Sequence, residues 1–114
     1  MTKIEIYLKA NEIVGFECKN HSGYAESGKD IVCAGISSIT QTAVLGLKNI
    51  AKVNFTEKID QNKGYLSIEI SQNEWTSTNF KTAQTILQTM LCGLEDLEKQ
   101  YPKYLKLEEK VLWV

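Results

Sequence analysis

The sequence has no arginine: all thirteen cationic side chains are lysines, set among fourteen carboxylates. Arginine's planar fork grips phosphates and base edges at two points, and scattered lysines make no basic stripe, so no nucleic-acid partner is expected. Histidine occurs once, at His21, and cysteine three times, at Cys18, Cys33 and Cys92. Those spacings fit no zinc knuckle, and neither a metal nor another cofactor is expected. An odd number of cysteines, behind an N-terminus that alternates as Thr2-Lys3-Ile4-Glu5-Ile6, predicts free thiols, no signal peptide and a cytoplasmic chain. No apolar run approaches the length of a membrane span, so no membrane partner is expected either. With one proline and no linker, repeat or low-complexity segment, residues 1–114 read as a single domain.

What is present is periodicity. Ile4, Ile6 and Leu8 alternate with polar neighbours, Asn11 supplies a turn, and Val14, Phe16 and Cys18 mark the inward face of a second strand. From His21 to Asp30 the pattern stops, and Gly23 and Gly28 sit among small polar residues, which describes a loop. Val32, Ile36, Ile39, Ala43, Leu47 and Ile50 then step by three and four, predicting a helix of about five turns. Val53, Phe55 and Ile59, the turn Gln61-Asn62-Lys63-Gly64, and Leu66, Ile68 and Ile70 predict a second hairpin. Polar residues at 77–79 cap a second helix whose stripe is Phe80, Ala83, Leu87, Met90, Leu94 and Leu97. Pro102 ends it, and Leu105, Leu107 and Val111 suggest a last strand. The order β-β-α-β-β-α-β predicts an α+β fold: a mainly antiparallel sheet with two helices packed against it. Tyr7, Tyr65 and Trp75 lie off the core stripes and could belong to a subunit contact.

The stretch from His21 to Cys33 carries the chemistry. Asp30 directly precedes the helical stripe and can accept a backbone N–H as N-cap, supporting a nucleophile at Cys33 in the first turn. Unpaired N–H groups and the helix dipole favour negative charge there. An ordinary thiol, with a pKa of about 8.5, is only a few per cent ionised at neutral pH, and the thiolate is the nucleophile. The Asp30 carboxylate opposes a thiolate, so an imidazole must do much of the activation. His21, at the end of a strand and across a glycine loop, is placed to be that base. Ser22, Gly23, Tyr24 and Gly28 are expected to form a mobile active-site loop that closes over substrate. Taken singly, each feature has a plainer reading: an early helical cysteine is commonly a small buried hydrophobe, and a lone histidine a surface residue. Cys18 and Cys92 read first as core or near-core residues.

At this stretch the chain resembles the ribosomal-processing cysteine protease family, Prp. Asn20-His21-Ser22 stands for the family's Gly-His-Ala, Gly23-Tyr24-Ala25 for its glycine-rich spacer, and Gly28-Lys29-Asp30-Ile31-Val32-Cys33-Ala34 matches the second part, followed by Ser37. Asn tolerates positive φ, so Asn20 can keep the glycine's geometry. The resemblance implies a cysteine endopeptidase in which Cys33 attacks the scissile carbonyl and His21 moves the proton. It also implies the substrate, the precursor of large-subunit ribosomal protein number twenty-seven, whose N-terminal extension is cut after a segment with paired phenylalanines. It implies a homodimer as well. Two alternatives stand beside it: a non-catalytic protein-binding module acting in ribosome assembly, and a different thiol enzyme such as an acyltransferase or redox sensor.

Overall fold

Alternating side chains build the first hairpin, β1 (Thr2–Lys9) and β2 (Glu12–Lys19). Ala10 and Asn11 between them both have positive φ, at 52° and 67°, as a two-residue turn of the hairpin type requires. The computed structural model describes residues 1–26 and 28–113. Helix α1 (Ile31–Gly46) runs into a widened turn of π-helix (Leu47–Ala51). The second hairpin, β3 (Phe55–Asp60) and β4 (Tyr65–Ile70), follows, then helix α2 (Thr78–Gln100) and strand β5 (Leu105–Val111).

The strands form one sheet in the order β3-β4-β2-β1-β5. Pairing is antiparallel throughout the described residues except between β1 and β5, which run parallel from Thr2↔Leu105 to Leu8↔Val111. The sheet is therefore mixed rather than purely hairpin-built. Ile4, Ile6, Phe16, Cys18, Ile68 and Ile70 point to the helix side and join Val32, Ile36, Leu87 and Leu94 in one core. Glycines let the two helices approach: a Cβ on Gly35 would lie 3.3 Å from the Leu97 side chain, and one on Gly46 3.1 Å from that of Ile86. The register shift between Tyr7 and Leu8 bulges β2, and the Gln84 side chain bonds both Ile13 N and Ile13 O at 2.7 Å, tying α2 to the irregular strand.

Two expectations need correction. Ile50 does not share the buried stripe of α1: it is 69% exposed, and Ala51 is buried in its place. The π turn inserts an extra residue into the helical period, shifting the buried face by one position. Residues Ile31–Ala51 also form a helical stretch of 21 residues holding an 18-residue window of mean hydropathy 1.4, long and apolar enough by length and composition alone to cross a membrane. The sequence pattern concealed this because serines and threonines interrupt the run. Here Val32, Ile36, Ala43 and Leu47 are buried in the protein core.

The other face of the sheet is polar. Lys19 pairs with Glu5 at 3.2 Å and Glu17 at 3.1 Å, and the hydroxyls of Tyr7 and Tyr65 both donate to Glu17. Trp75 donates its ring N–H to the Ile70 carbonyl. The three aromatic side chains set aside for a subunit contact are thus each bonded within the chain.

Candidate active site

β2 delivers His21 and α1 delivers Cys33. Asn20 turns the chain out of the strand with φ 72°, the left-handed conformation that asparagine tolerates best after glycine. Asp30 caps α1: its backbone is extended, and its Oδ1 accepts from Cys33 N at 2.9 Å. Cys33 occupies the third helical position and is partly buried. Its Sγ accepts from the backbone N–H of Ser22 at 3.2 Å.

The second oxygen of Asp30 organises the loop. Oδ2 accepts from Ser22 Oγ at 2.6 Å, Tyr24 N at 3.1 Å and Ala25 N at 3.4 Å. Burial is the largest single influence on this carboxyl and pushes its pKa up. The bonds from Ser22, Cys33 and Ala25 outweigh it and hold the group down at about 2, well below its ordinary 3.8. Of the residues expected in the loop, Ser22 is 1% exposed, whereas Gly23, Tyr24 and Gly28 reach solvent.

His21 is exposed, and its Nε2 lies 3.2 Å from the Asn62 carbonyl oxygen. A carbonyl only accepts, so this contact requires the proton on Nε2, which leaves Nδ1 of the neutral ring as the proton acceptor. The turn that supplies Asn62 presses closely on the histidine. Gly64 has φ 60°, and a Cβ there would lie 2.9 Å from Asn20 C and 3.1 Å from His21 Cε1. Sequence reasoning had Gln61–Gly64 only as a turn; nothing in a single sequence says which side chain such a turn supports.

His21 and Cys33 open onto one groove of about 950 Å³ between α1 and the β3–β4 hairpin. Val44 and Leu45, about three helical turns beyond Cys33, line it with Ile59 and Leu66 from the strands. The buried Cys18 also touches this groove, and burial raises its thiol to about 12, so it stays protonated and inert at neutral pH. Cys92 is exposed on α2.

Comparison with known proteins decides the family. The sequence profile of the cysteine protease Prp matches residues 1–106. The chain belongs to the Prp family of cysteine proteases. It is 33% identical over 90 residues to the ribosomal processing cysteine protease Prp of Staphylococcus aureus strain Mu50, covering 79% of this chain and 80% of that one. It is 28% identical to the Bacillus subtilis protein of the same name over 100 residues, 88% of each chain. The crystal structure of the S. aureus Prp with a covalently linked product peptide superposes with a TM-score of 0.86 at 27% identity, covering 96% of this chain and all of that one. Prp membership makes the chain a peptide-bond hydrolase that works through a cysteine, and sets aside the binding module and the other thiol enzymes.

Proposed function

We propose that this Prp-family protease removes the N-terminal extension of large-subunit ribosomal protein number twenty-seven, using Cys33 as nucleophile and His21 as base. The observation that carries the reading is that Cys33 Sγ, at a capped helix start, and His21, with Nε2 committed to Asn62, share one groove. Its relatives' names supply the substrate class: those proteins are called ribosomal processing proteases.

The mechanism follows from these groups. His21 Nδ1 takes the Cys33 proton, and the thiolate attacks the scissile carbonyl carbon, forming a C–S bond. N–H groups of the α1 start that Asp30 does not engage steady the oxyanion. The C–N bond then breaks, the leaving amine takes the proton from His21, and the acyl group remains on sulfur as a thioester. Water, deprotonated by the same imidazole, hydrolyses the thioester and restores the thiol. The apolar walls at Val44, Leu45, Ile59 and Leu66 suit aromatic side chains of a peptide laid along the groove.

The active form is a homodimer acting in the cytoplasm, where free thiols persist and ribosomes assemble. The polar sheet face, with a hollow of about 410 Å³ at Tyr7, Trp75 and Leu112, is the surface for the second copy. Light scattering on the purified protein tests the dimer.

The deciding experiment incubates wild type, Cys33→Ser and His21→Ala with a peptide spanning the ribosomal protein's extension and reads products by mass spectrometry. The expected result is a single cut after the phenylalanine-containing segment, absent in both variants. An uncut peptide with folded wild type would remove this substrate, and cutting by either variant would remove the dyad.

A further inference from the structure

Tyr24 projects from the active-site loop onto two tyrosines that belong to neither catalytic element. Its ring meets Tyr101 edge-on at 5.7 Å and 86°, and Tyr104 at 5.2 Å and 76°, the geometry in which a ring edge faces a ring's electron-rich surface. Tyr101 and Tyr104 sit in the turn after α2, which is itself well fixed. Tyr101 N donates to Leu97 O, and Tyr104 N and Leu105 N both donate to Tyr101 O.

That turn connects to both halves of the site. Tyr104 O accepts from Thr2 N at 2.9 Å, and the Thr2 hydroxyl donates to Asn20 O at 2.9 Å, immediately before His21. On the other side, the backbone N–H of Tyr24 donates to Ser22 Oγ and Asp30 Oδ2, and Ser22 N donates to Cys33 Sγ. Thr2 and Ser22, the two polar links, are 3% and 1% exposed, so water does not compete for their bonds.

We propose that Tyr24 is a positioning residue for the nucleophile: docked between Tyr101 and Tyr104, it holds the 22–25 segment so that Ser22 N–H stays on Cys33 Sγ. A hydrogen bond to sulfur is worth more when the sulfur is negative, so the dock favours the thiolate without touching it. Neither the alternating strands nor the helical stripes require an aromatic at position 24. The proposal rests on Cys33 being the nucleophile and adds a residue to that site.

The test reads Cys33 directly. Wild type, Tyr24→Ala and Tyr24→Phe are treated with iodoacetamide across pH 6 to 10, and alkylation of Cys33 is timed by peptide mapping. Tyr24 is 41% exposed, so its removal empties no core site. The expected result is that Tyr24→Ala reacts about five-fold more slowly at pH 7 and that the difference from wild type closes toward pH 10. Tyr24→Phe, which keeps the ring edge, follows wild type. Should Tyr24→Ala lose its cooperative melt, Tyr24→Leu, which keeps apolar bulk but not the ring, carries the same comparison. A wild-type pH profile in the ring-less variant overturns the proposal, as does a Phe variant as slow as Ala. Alkylation needs no peptide, so this outcome stands apart from whether the ribosomal-protein segment is cut.

Discussion

The hydroxyl of Ser22 donates to Oδ2 of Asp30 across 2.6 Å, joining the residue after His21 to the residue that caps the helix of Cys33. One carboxylate thereby ties the chain just after His21 to the helix start that carries Cys33, whose backbone N–H it also accepts. The family pattern has alanine at position 22, so this chain carries a link that the pattern does not demand.

Replacing Ser22 with alanine tests that link. The small side chain keeps the fold, and the bond lost between the buried Ser22 hydroxyl and the partly buried Asp30 carboxylate lowers stability by about 1–2 kcal/mol. Urea unfolding of wild type and Ser22→Ala would show it as a lower midpoint at unchanged slope. Peptide cleavage persists, because Asp30 keeps its bonds to the backbone N–H groups of Tyr24, Ala25 and Cys33.

Asp30 also sets an acid limit. Its carboxyl titrates at about 2 when folded against an ordinary 3.8, so the folded state binds this proton less readily than the unfolded chain. The stability it contributes is fully present above pH 3.8 and is lost as pH falls through about 2. Glu17, also lowered, shares the acid slope, with burial opposing and bonds from Tyr65 and Lys19 prevailing. Melting temperatures from pH 6 down to 2 should therefore fall less steeply for Asp30→Asn than for wild type. Equal slopes would mean that Asp30 is not held down.

Gly64→Ala probes the support of His21. An alanine at φ 60° costs about 1–2 kcal/mol, and its Cβ would crowd both Asn20 C and the imidazole. The ring must shift from Asn62, and cleavage should fall by about ten-fold or more while the protein stays folded. The split to look for is a lower kcat with circular dichroism unchanged.

The widened turn at the end of α1 yields a contrast of neighbours. Leu47→Ala, at a fully buried position, should cost about 2–5 kcal/mol. Ile50→Ser, three residues on and 69% exposed, should change stability by less than about 0.5 kcal/mol. A simple continuation of the helical stripe predicts large losses at both, so one pair of denaturation curves separates the two descriptions.

Much of this architecture was legible in residue order. Strand alternation identifies the inward faces of β1, β2 and β4, and the three-and-four stepping of α2 from Phe80 to Leu94 coincides with its buried residues. Asp30 was legible as a cap because capping is local chemistry. Ile50 was misplaced because hydropathy periods assume a uniform helix, and a π turn leaves no mark in composition. Asn62, Gly64 and Thr2 were missed because they act through backbone atoms or across long sequence distances. The tyrosine cluster was missed for the same reason: position 24 meets positions 101 and 104 only after the whole sheet is assembled. Parallel pairing of β1 with β5 was likewise invisible, since both hairpins point toward an antiparallel sheet.

That parallel pairing has a kinetic consequence. Thr2 finds Leu105 only after nearly the entire polypeptide has closed into a loop, and contacts of such separation form late in a folding reaction. The bonds from Thr2 to Tyr104 and to Asn20, one residue before His21, form with them. A refolding chain should therefore recover most of its helical signal before its thiol at position 33 acquires native reactivity. Stopped-flow circular dichroism beside pulsed alkylation would resolve the interval, and simultaneous recovery would show that the two chain ends meet early.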